Sequence, residues 1–215
     1  MRQGLPLVMV ASMVLFGACS NESSDGPDTS AERAVSAGAA PVSAKGVVLG
    51  NAPIVPDSKS FVVLTPANVQ DLPPPEGKPV MDQVQLTFVP ALLIVRSGHP
   101  VEFRSSDEEL HNINIKHART QRQEFNVAIP PDGTFEHTFR STGFYDVHCD
   151  IHPAMSAQIF AAETPHVVVA EPDGRFAFEG IAPGAYTLSV YAGGRRHDQP
   201  IVVAAGANDV QITTD

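Results

Sequence analysis

The stretch "GFYDVHCDIHPAM", residues 143–155, decides how the rest of the sequence is interpreted. It holds Cys149, one of only two cysteines in the chain, and His152 and Met155 follow at successive intervals of three residues. The first half is typical of a short strand, and the proline in the second half favours a loop. A thiol, an imidazole and a thioether therefore follow one strand on one short loop.

These three side chains form a soft, mixed ligand set. Such a set suits copper better than calcium or magnesium, and it differs from the Cys/His sets of structural zinc sites. A fourth ligand is predicted in "HNINI", residues 111–115, where His111 stands at the head of a strand after the polar loop "RSSDEEL". Two imidazoles, one thiolate and one weak axial thioether together predict a type 1 copper site.

Residues 80–163 resemble the cupredoxins, the small blue-copper electron carriers. Gly143, Tyr145 and Cys149 match the family's Gly-x-Tyr-x-x-x-Cys strand, and the Cys-x-x-His-x-x-Met loop is similar to that of amicyanin. "HNINI" is similar to the family's first ligand histidine followed by asparagine. The longer pattern, from "FVPALLIVRSGHPVEF" through "CDIHPAM", is also similar to exported proteins of the methylamine utilization or plastocyanin-like type.

The resemblance implies a Greek-key β-sandwich that holds one copper ion and carries electrons without catalysing a reaction. The implied ligands are His111, Cys149, His152 and Met155. It also implies that Asn112 ties the two ligand loops together and donates its backbone N–H to the sulfur of Cys149, which tunes the metal.

Two other histidines are alternatives as copper ligands. His117 lies six residues after His111 on the same strand parity, but His111 is favoured because Asn112 follows it. His148 precedes the cysteine, as in copper nitrite reductases, yet one domain with a short ligand loop lacks the residues for a second copper, so we expect an outward, solvated side chain. Multicopper oxidases need a His-Cys-His triplet, and position 150 is Asp. An oxidase or nitrite reductase is therefore disfavoured.

A second β-sandwich is predicted from the segments on either side. "VVVAEPDGRFAFEGIAPGAYTLSVYAGG", after residue 164, resembles the carboxypeptidase-regulatory-like, transthyretin-like sandwiches, and "GVVLG" and "FVVLTP" resemble a missing opening. Each piece alone is short for a stable core. We expect residues 45–67 and 164–215 to fold together around the inserted copper domain, with 68–79 as a proline-rich connector; the alternative adds 45–79 to the cupredoxin as an edge strand.

The first residues predict export. Residues 1–18 have one cationic residue and an apolar core, which is typical of a signal peptide, and "LFGAC" resembles the lipobox of bacterial lipoproteins with Cys19 as the acylated residue. Residues 19–44 are rich in Ser, Ala and Gly and predict a flexible linker. We expect the protein in the periplasm or at the cell surface, held at the membrane through its lipid anchor only.

Composition excludes several partners. The chain has 215 residues, 14 basic against 24 acidic side chains, and a formal charge of −10, which becomes −11 without residues 1–18. Nucleic acid and anionic membrane surfaces are therefore disfavoured as partners. Nineteen prolines, 16 glycines and no tryptophan, without a long amphipathic helix, predict an all-β protein.

Three functions are compatible with these features. The first is an electron carrier whose partner is a redox protein such as a cytochrome c or a quinoprotein dehydrogenase, with Asp107, Glu108 and Glu109 either steering a basic partner or forming an ordinary solvated loop. The second is a periplasmic copper-binding or copper-delivery protein. The third, an adhesion or carbohydrate-binding sandwich with incidental copper, lacks a cluster of aromatic residues for a sugar platform.

Overall fold

The architecture comes from a computed structural model that describes residues 45–212. The expected signal peptide (1–18), Cys19 and the linker (19–44) lie outside the described residues. The described part contains a single 3-10 turn, Val69–Asp71, in the proline-rich connector, and otherwise strands. Within residues 45–212 there is no helix with the length and apolarity that crossing a membrane requires.

Sixteen strands follow one another along the described chain. They are β1 (Gly46–Asn51), β2 (Phe61–Pro66), β3 (Val80–Val84), β4 (Thr87–Val89), β5 (Leu92–Arg96), β6 (Pro100–Ser105), β7 (His111–His117), β8 (Gln123–Ile129), β9 (Thr134–Thr138), β10 (Gly143–His148), β11 (Ser156–Ala162), β12 (Val167–Val169), β13 (Arg175–Ile181), β14 (Gly184–Ala192), β15 (Arg195–Val203) and β16 (Gly206–Val210). The prediction of an all-β fold built from two sandwiches is confirmed.

Strands β3 to β11 form the first sandwich. One sheet has the order β4-β3-β6-β9 and the other β5-β11-β10-β7-β8. Alternate residues of each strand point between the sheets, as the period of two requires. The core so formed includes Met81, Phe103, Ile113, Ile115, Tyr145, Val147 and Ile159, all fully buried.

Within residues 45–212, strands β1 and β2 pair with strands that follow the first sandwich in sequence. β1 lies between β13, antiparallel, and β16, parallel; β2 lies between β12 and β14, both antiparallel. Val48 and Leu64 are fully buried in one core with Phe178 and Leu188. This is the pairing that insertion of the first sandwich requires, and we propose that the described parts of 45–67 and 164–215 form one discontinuous domain.

The two sandwiches meet through an aromatic cluster. Phe144 and Phe160, on the outer face of the β10–β11 sheet, lie 4.5 Å apart between ring centroids. Phe61 and Tyr191, from β2 and β14, contact them at 4.9 to 5.7 Å. Aromatic pairs at these separations contribute packing energy beyond simple burial. The cluster therefore fixes one sandwich on the other.

The register of two neighbouring strands brings the predicted ligands together. β7 and β10 run antiparallel, with Tyr145 opposite His117 and His148 opposite Asn114. The first residue of β7 therefore lies beside the loop that follows β10. At the other end of β10 the hydroxyl of Tyr145 donates a 2.8 Å hydrogen bond to the carbonyl of Ser141, which fixes where the strand begins.

Candidate metal centre

Three predicted ligands converge at one end of the first sandwich. The Sγ atom of Cys149 lies 3.9 Å from Nδ1 of His111 and 3.8 Å from Nδ1 of His152. The two Nδ1 atoms are 3.0 Å apart. Together, His111, Cys149 and His152 form the group of potential metal ligands that stands out among the described residues.

Asp107 sets the orientation of His111 through a contact with Nε2 of its ring. The carboxylate Oδ2 of Asp107 lies 3.0 Å from Nε2 of His111 and also accepts the backbone N–H of Leu86 at 2.9 Å. The N–H of Gln85 donates to its other oxygen. The bond from Leu86 is the main cause that holds the pKa of Asp107 below its ordinary value. An ionised Asp107 makes Nε2 the protonated nitrogen of His111 and leaves a lone pair on Nδ1, facing the thiol.

The sulfur of Cys149 is buried, with 2% of the residue exposed. It accepts the backbone N–H of His152 at 3.4 Å and lies 3.4 Å from Oδ1 of Asn112. A backbone N–H directed at a thiolate stabilises its negative charge without supplying a competing ligand. The Sγ atom therefore has one backbone N–H donor, from His152, and one side-chain acceptor, Oδ1 of Asn112.

Met155 closes the ligand loop. Its backbone N–H donates to the carbonyl of His152 at 2.9 Å, and its carbonyl accepts the N–H of Cys149 at 3.3 Å. Its side chain is buried in the same apolar cluster as Cys149. The loop is thus a compact turn whose two ends are hydrogen-bonded to each other, and the side chain of its last residue is buried.

Asn112 connects the two ligand-bearing segments. Its Oδ1 accepts the backbone N–H of Asp150 at 2.7 Å and that of Ile151 at 3.3 Å. The expected tie between loops is therefore present, but it runs through the side chain. Among the described residues the backbone N–H that reaches the sulfur belongs to His152, not to Asn112 as the resemblance implied.

Asp150 completes this network. Its carboxylate accepts hydrogen bonds from the side-chain amides of Asn112, Asn114 and Asn126 at 2.8 to 3.2 Å. These bonds, led by those from Asn114 and Asn126, lower the pKa of Asp150. Three amides from β7 and β8 therefore hold the residue next to Cys149 in an ionised, fixed position.

The donor set and its spacing fit a copper ion. Two donors that bind one ion at about 2.0 to 2.3 Å from it lie no more than about 4.6 Å apart, and all three separations here satisfy this limit. Two imidazole nitrogens 3.0 Å apart also need either a proton or a cation between them. The sulfur of Cys149 beside two imidazoles makes a soft donor set, which favours copper.

The structure separates the predicted ligands from the other histidines. His117 lies at the far end of β7, where its ring contacts Tyr145 at 5.1 Å between centroids, and it is not part of the ligand group. His148 is exposed, as expected. The sequence predicts Asp107 in an acidic loop that either steers a basic partner or is simply solvated, whereas its carboxylate contacts Nε2 of His111. The spacing of four residues is the only signal of this contact in the sequence.

Replacing Asn112 with alanine should destabilise the copper-free protein. The change removes the acceptor of the Asp150 and Ile151 N–H groups at a residue that is only 6% exposed, so we expect the free energy of unfolding to fall by about 2 to 3 kcal/mol. Urea denaturation measures this. Asn126→Ala, at an exposed position of the same network, is the matched control with an expected loss below about 1 kcal/mol. Equal losses would contradict the central role of Asn112.

Comparison with known proteins gives likenesses to solved structures only. No family model matches the sequence, and no curated protein matches it. An oxidised mutant of amicyanin is 22% identical and covers 46% of this chain and 90% of its own, with a TM-score of 0.36. A purple cupredoxin from Nitrosopumilus maritimus is 20% identical and covers 40% of this chain and 100% of its own, with a TM-score of 0.36. Amicyanin from Paracoccus versutus is 18% identical and covers 46% of this chain and 97% of its own, with a TM-score of 0.37. Likenesses at this level do not establish an activity.

Proposed function

We propose that this protein is an exported, lipid-anchored blue-copper protein in which residues 80–163 form a cupredoxin domain that carries single electrons. The observation that carries the proposal is the convergence of His111, Cys149 and His152 on one point, with the free nitrogen of His111 directed there by Asp107. Met155 is proposed as the weak axial ligand. When bound, copper supplies a one-electron change between Cu(II) and Cu(I).

The side chains around the ligands suit a site that changes little during electron transfer. Hydrogen bonds that the backbone after Cys149 donates to Oδ1 of Asn112 hold that backbone, and Asp107 holds the ring of His111. Fixed ligands reduce the rearrangement that each change of oxidation state requires, which is the advantage of a preorganised site. His152 is only partly buried, so its ring offers the shortest route between the site and the surface.

Three exposed apolar side chains adjoin the residues that position the ligands. Leu110 precedes His111 and is 50% exposed, Ile151 precedes His152 and is 47% exposed, and Leu86, which donates to Asp107, is 48% exposed. Exposed apolar side chains that adjoin a functional site are typical of an interaction surface. We assign this surface to a redox protein such as a cytochrome c or a quinoprotein dehydrogenase.

Burial favours an electron carrier over a copper-delivery protein. His111, Cys149 and Met155 are each no more than 2% exposed, so an ion held by them has little access to an incoming chelating group. An ion that is delivered to a partner needs such access. Incubation of the copper-loaded protein with a Cu(I)-specific chelator discriminates the two functions: retention over hours supports the carrier, and rapid loss supports delivery.

Export and anchoring are proposed from the sequence. The protein is placed in the periplasm or at the cell surface, with Cys19 acylated and residues 19–44 as the tether. Mass spectrometry of the mature chain measures the acyl groups directly. An unmodified, freely soluble mature chain contradicts the anchor while leaving the copper site untouched.

Electron transfer through the apolar surface is tested by reaction rates. We expect the copper-loaded protein to accept an electron from a reduced cytochrome c, followed by stopped-flow absorption, and Ile151→Lys to lower the second-order rate constant by about tenfold by placing a charge beside His152. Val202→Lys, at a residue 79% exposed on the other sandwich, is the matched control and should leave the rate unchanged. Equal slowing by both variants would contradict the assignment of this surface. Failure of the wild-type protein to react would contradict the proposed function.

A further inference from the structure

An unusual concentration of positive charge lies away from the candidate metal centre. The groove where the two sandwiches part has a volume of about 880 Å³ and is lined by four cationic side chains and one carboxylate. The cations are Lys59, Arg119, Arg195 and Arg196, and the carboxylate is Asp57. This local excess of positive charge occurs on a chain whose net charge is −10.

An adjoining hollow extends the same basic surface. It shares His117, Arg119 and Thr142 with the groove and adds Arg122 and Arg140, against one carboxylate, Glu163. Two adjoining concavities therefore collect six of the chain's 14 basic side chains. A distribution of this kind raises the local concentration of anions.

The groove is distinct from the candidate metal centre. The last residue of β7, His117, and the first residue of β10, Gly143, line the groove. The ligands lie at the opposite ends of these two strands. Six residues of extended strand span about 20 Å. The groove thus contains no proposed copper ligand, and its role does not depend on the proposed function.

Two of the arginines directly follow a tight turn. Gly193 and Gly194 connect β14 to β15 with φ angles of 56° and 76°, the conformation of a two-residue hairpin turn that glycine adopts without strain. Arg195 and Arg196 follow at once. The guanidinium of Arg196 lies over the ring of Tyr191 at 5.4 Å and is paired with Asp198, so its position is fixed.

Two of the other cations have no side-chain partner among the described residues. Within residues 45–212, no side-chain hydrogen bond or ion pair involves Lys59 or Arg119. Arg119 comes from the first sandwich and Lys59 from the second, so they face the groove from both sides. Cations without partners that converge on a cleft are available to an anionic ligand.

The wall of the groove is partly aromatic. Phe144 and Tyr191 are half-buried members of the cluster that joins the sandwiches, and both line the groove. A volume of about 880 Å³ lies in the range of small-molecule sites, which are concave, largely apolar and common between domains. Aromatic side chains with arginines beside them suit a flat apolar body that carries a negative charge.

We propose that this groove binds a small organic anion with a flat apolar body. Its carboxylate, sulfonate or phosphate group pairs with Arg119 and Arg195, and its apolar body lies against Phe144 and Tyr191. The concave shape, shared by both sandwiches, favours a small ligand over an acidic protein surface, which a flat or convex patch would accommodate better.

Fluorescence titration with 8-anilino-1-naphthalenesulfonate, a flat aromatic anion, tests the proposal on the mature protein. We expect saturable binding at one site. Arg119→Ala combined with Arg195→Ala should weaken it at least tenfold, because the change removes both pairing groups without removing a hydrogen bond within the fold. Arg175→Ala, at an exposed arginine that is the first residue of β13, is the matched control and should leave binding unchanged.

Competition separates the ligand classes. Inorganic phosphate, which has charge but no apolar body, should displace the dye only at much higher concentration than naphthoate does. If a hexaglutamate peptide displaces the dye at lower concentration than naphthoate, the groove is a docking site for an acidic protein and the proposal is overturned. Dye binding that is unaffected by the double substitution, or that does not saturate, overturns it as well.

Discussion

Replacing Cys149 with serine is expected to abolish the intense visible absorption of the copper(II)-loaded protein. That absorption arises from charge transfer between a thiolate and copper, and a serine hydroxyl is neither soft nor ionised at neutral pH. Copper binding should weaken strongly as well, because the site loses its only anionic donor among the four proposed ligands. The spectrum of the variant after copper addition, with bound copper measured separately, checks both effects.

The other cysteine of the chain provides the control. Cys19→Ser removes the only other thiol, so it should abolish the lipid anchor and leave the visible spectrum of the copper-loaded protein unchanged. If Cys149→Ser keeps the colour, the assignment of the thiolate ligand is wrong. If both variants lose it, the absorption does not come from the site described here.

Replacing Met155 with leucine should keep copper bound and raise the reduction potential. A thioether is a weak donor that stabilises copper(II) more than copper(I), so its removal favours the reduced state. Leucine has a similar volume, and exchange of the two in a buried position usually costs less than about 1.5 kcal/mol. Voltammetry of the copper-loaded variant against the wild-type protein measures the change.

Met81 is the matched control for this substitution. It is fully buried in the same apolar core as Met155 but belongs to β3, away from the ligand loop. Met81→Leu should leave the potential unchanged. An unchanged potential in Met155→Leu, or an equal shift in both variants, means that Met155 is not an axial ligand.

The local part of the candidate site could be predicted from the sequence. Cys149, His152 and Met155 lie on one short loop, so their proximity follows from their spacing. His111 required one further step, the register between β7 and β10, and the resemblance supplied that step. The alternation of apolar residues likewise predicted strands because each strand has one buried face.

The groups that orient the ligands could not be predicted in the same way. Asp107 is fixed by backbone N–H groups of Gln85 and Leu86, more than twenty residues earlier in the chain. Asp150 is held by amides from two neighbouring strands. Such contacts depend on which loops and strands become neighbours in the folded chain. Composition and spacing carry no information about them, so both carboxylates looked like ordinary polar residues.

The groove between the sandwiches could not be predicted from the sequence either. Arg119 lies in a loop after β7, and Arg195 is the first residue of β15, directly after the hairpin turn. The two stretches are far apart in the sequence, and the chain as a whole is acidic. Only the packing of one sandwich on the other, through Phe144 and Tyr191, places these charges together.

The central claim is that His111, Cys149 and His152 hold one copper ion in a type 1 site. Titration of the copper-free mature protein with copper(II), followed by visible absorption, tests it most directly. The ligand set predicts an intense charge-transfer band that grows linearly and stops at one copper ion per chain. Binding that produces only a weak absorption, or a band that continues to grow beyond one ion, would contradict the claim.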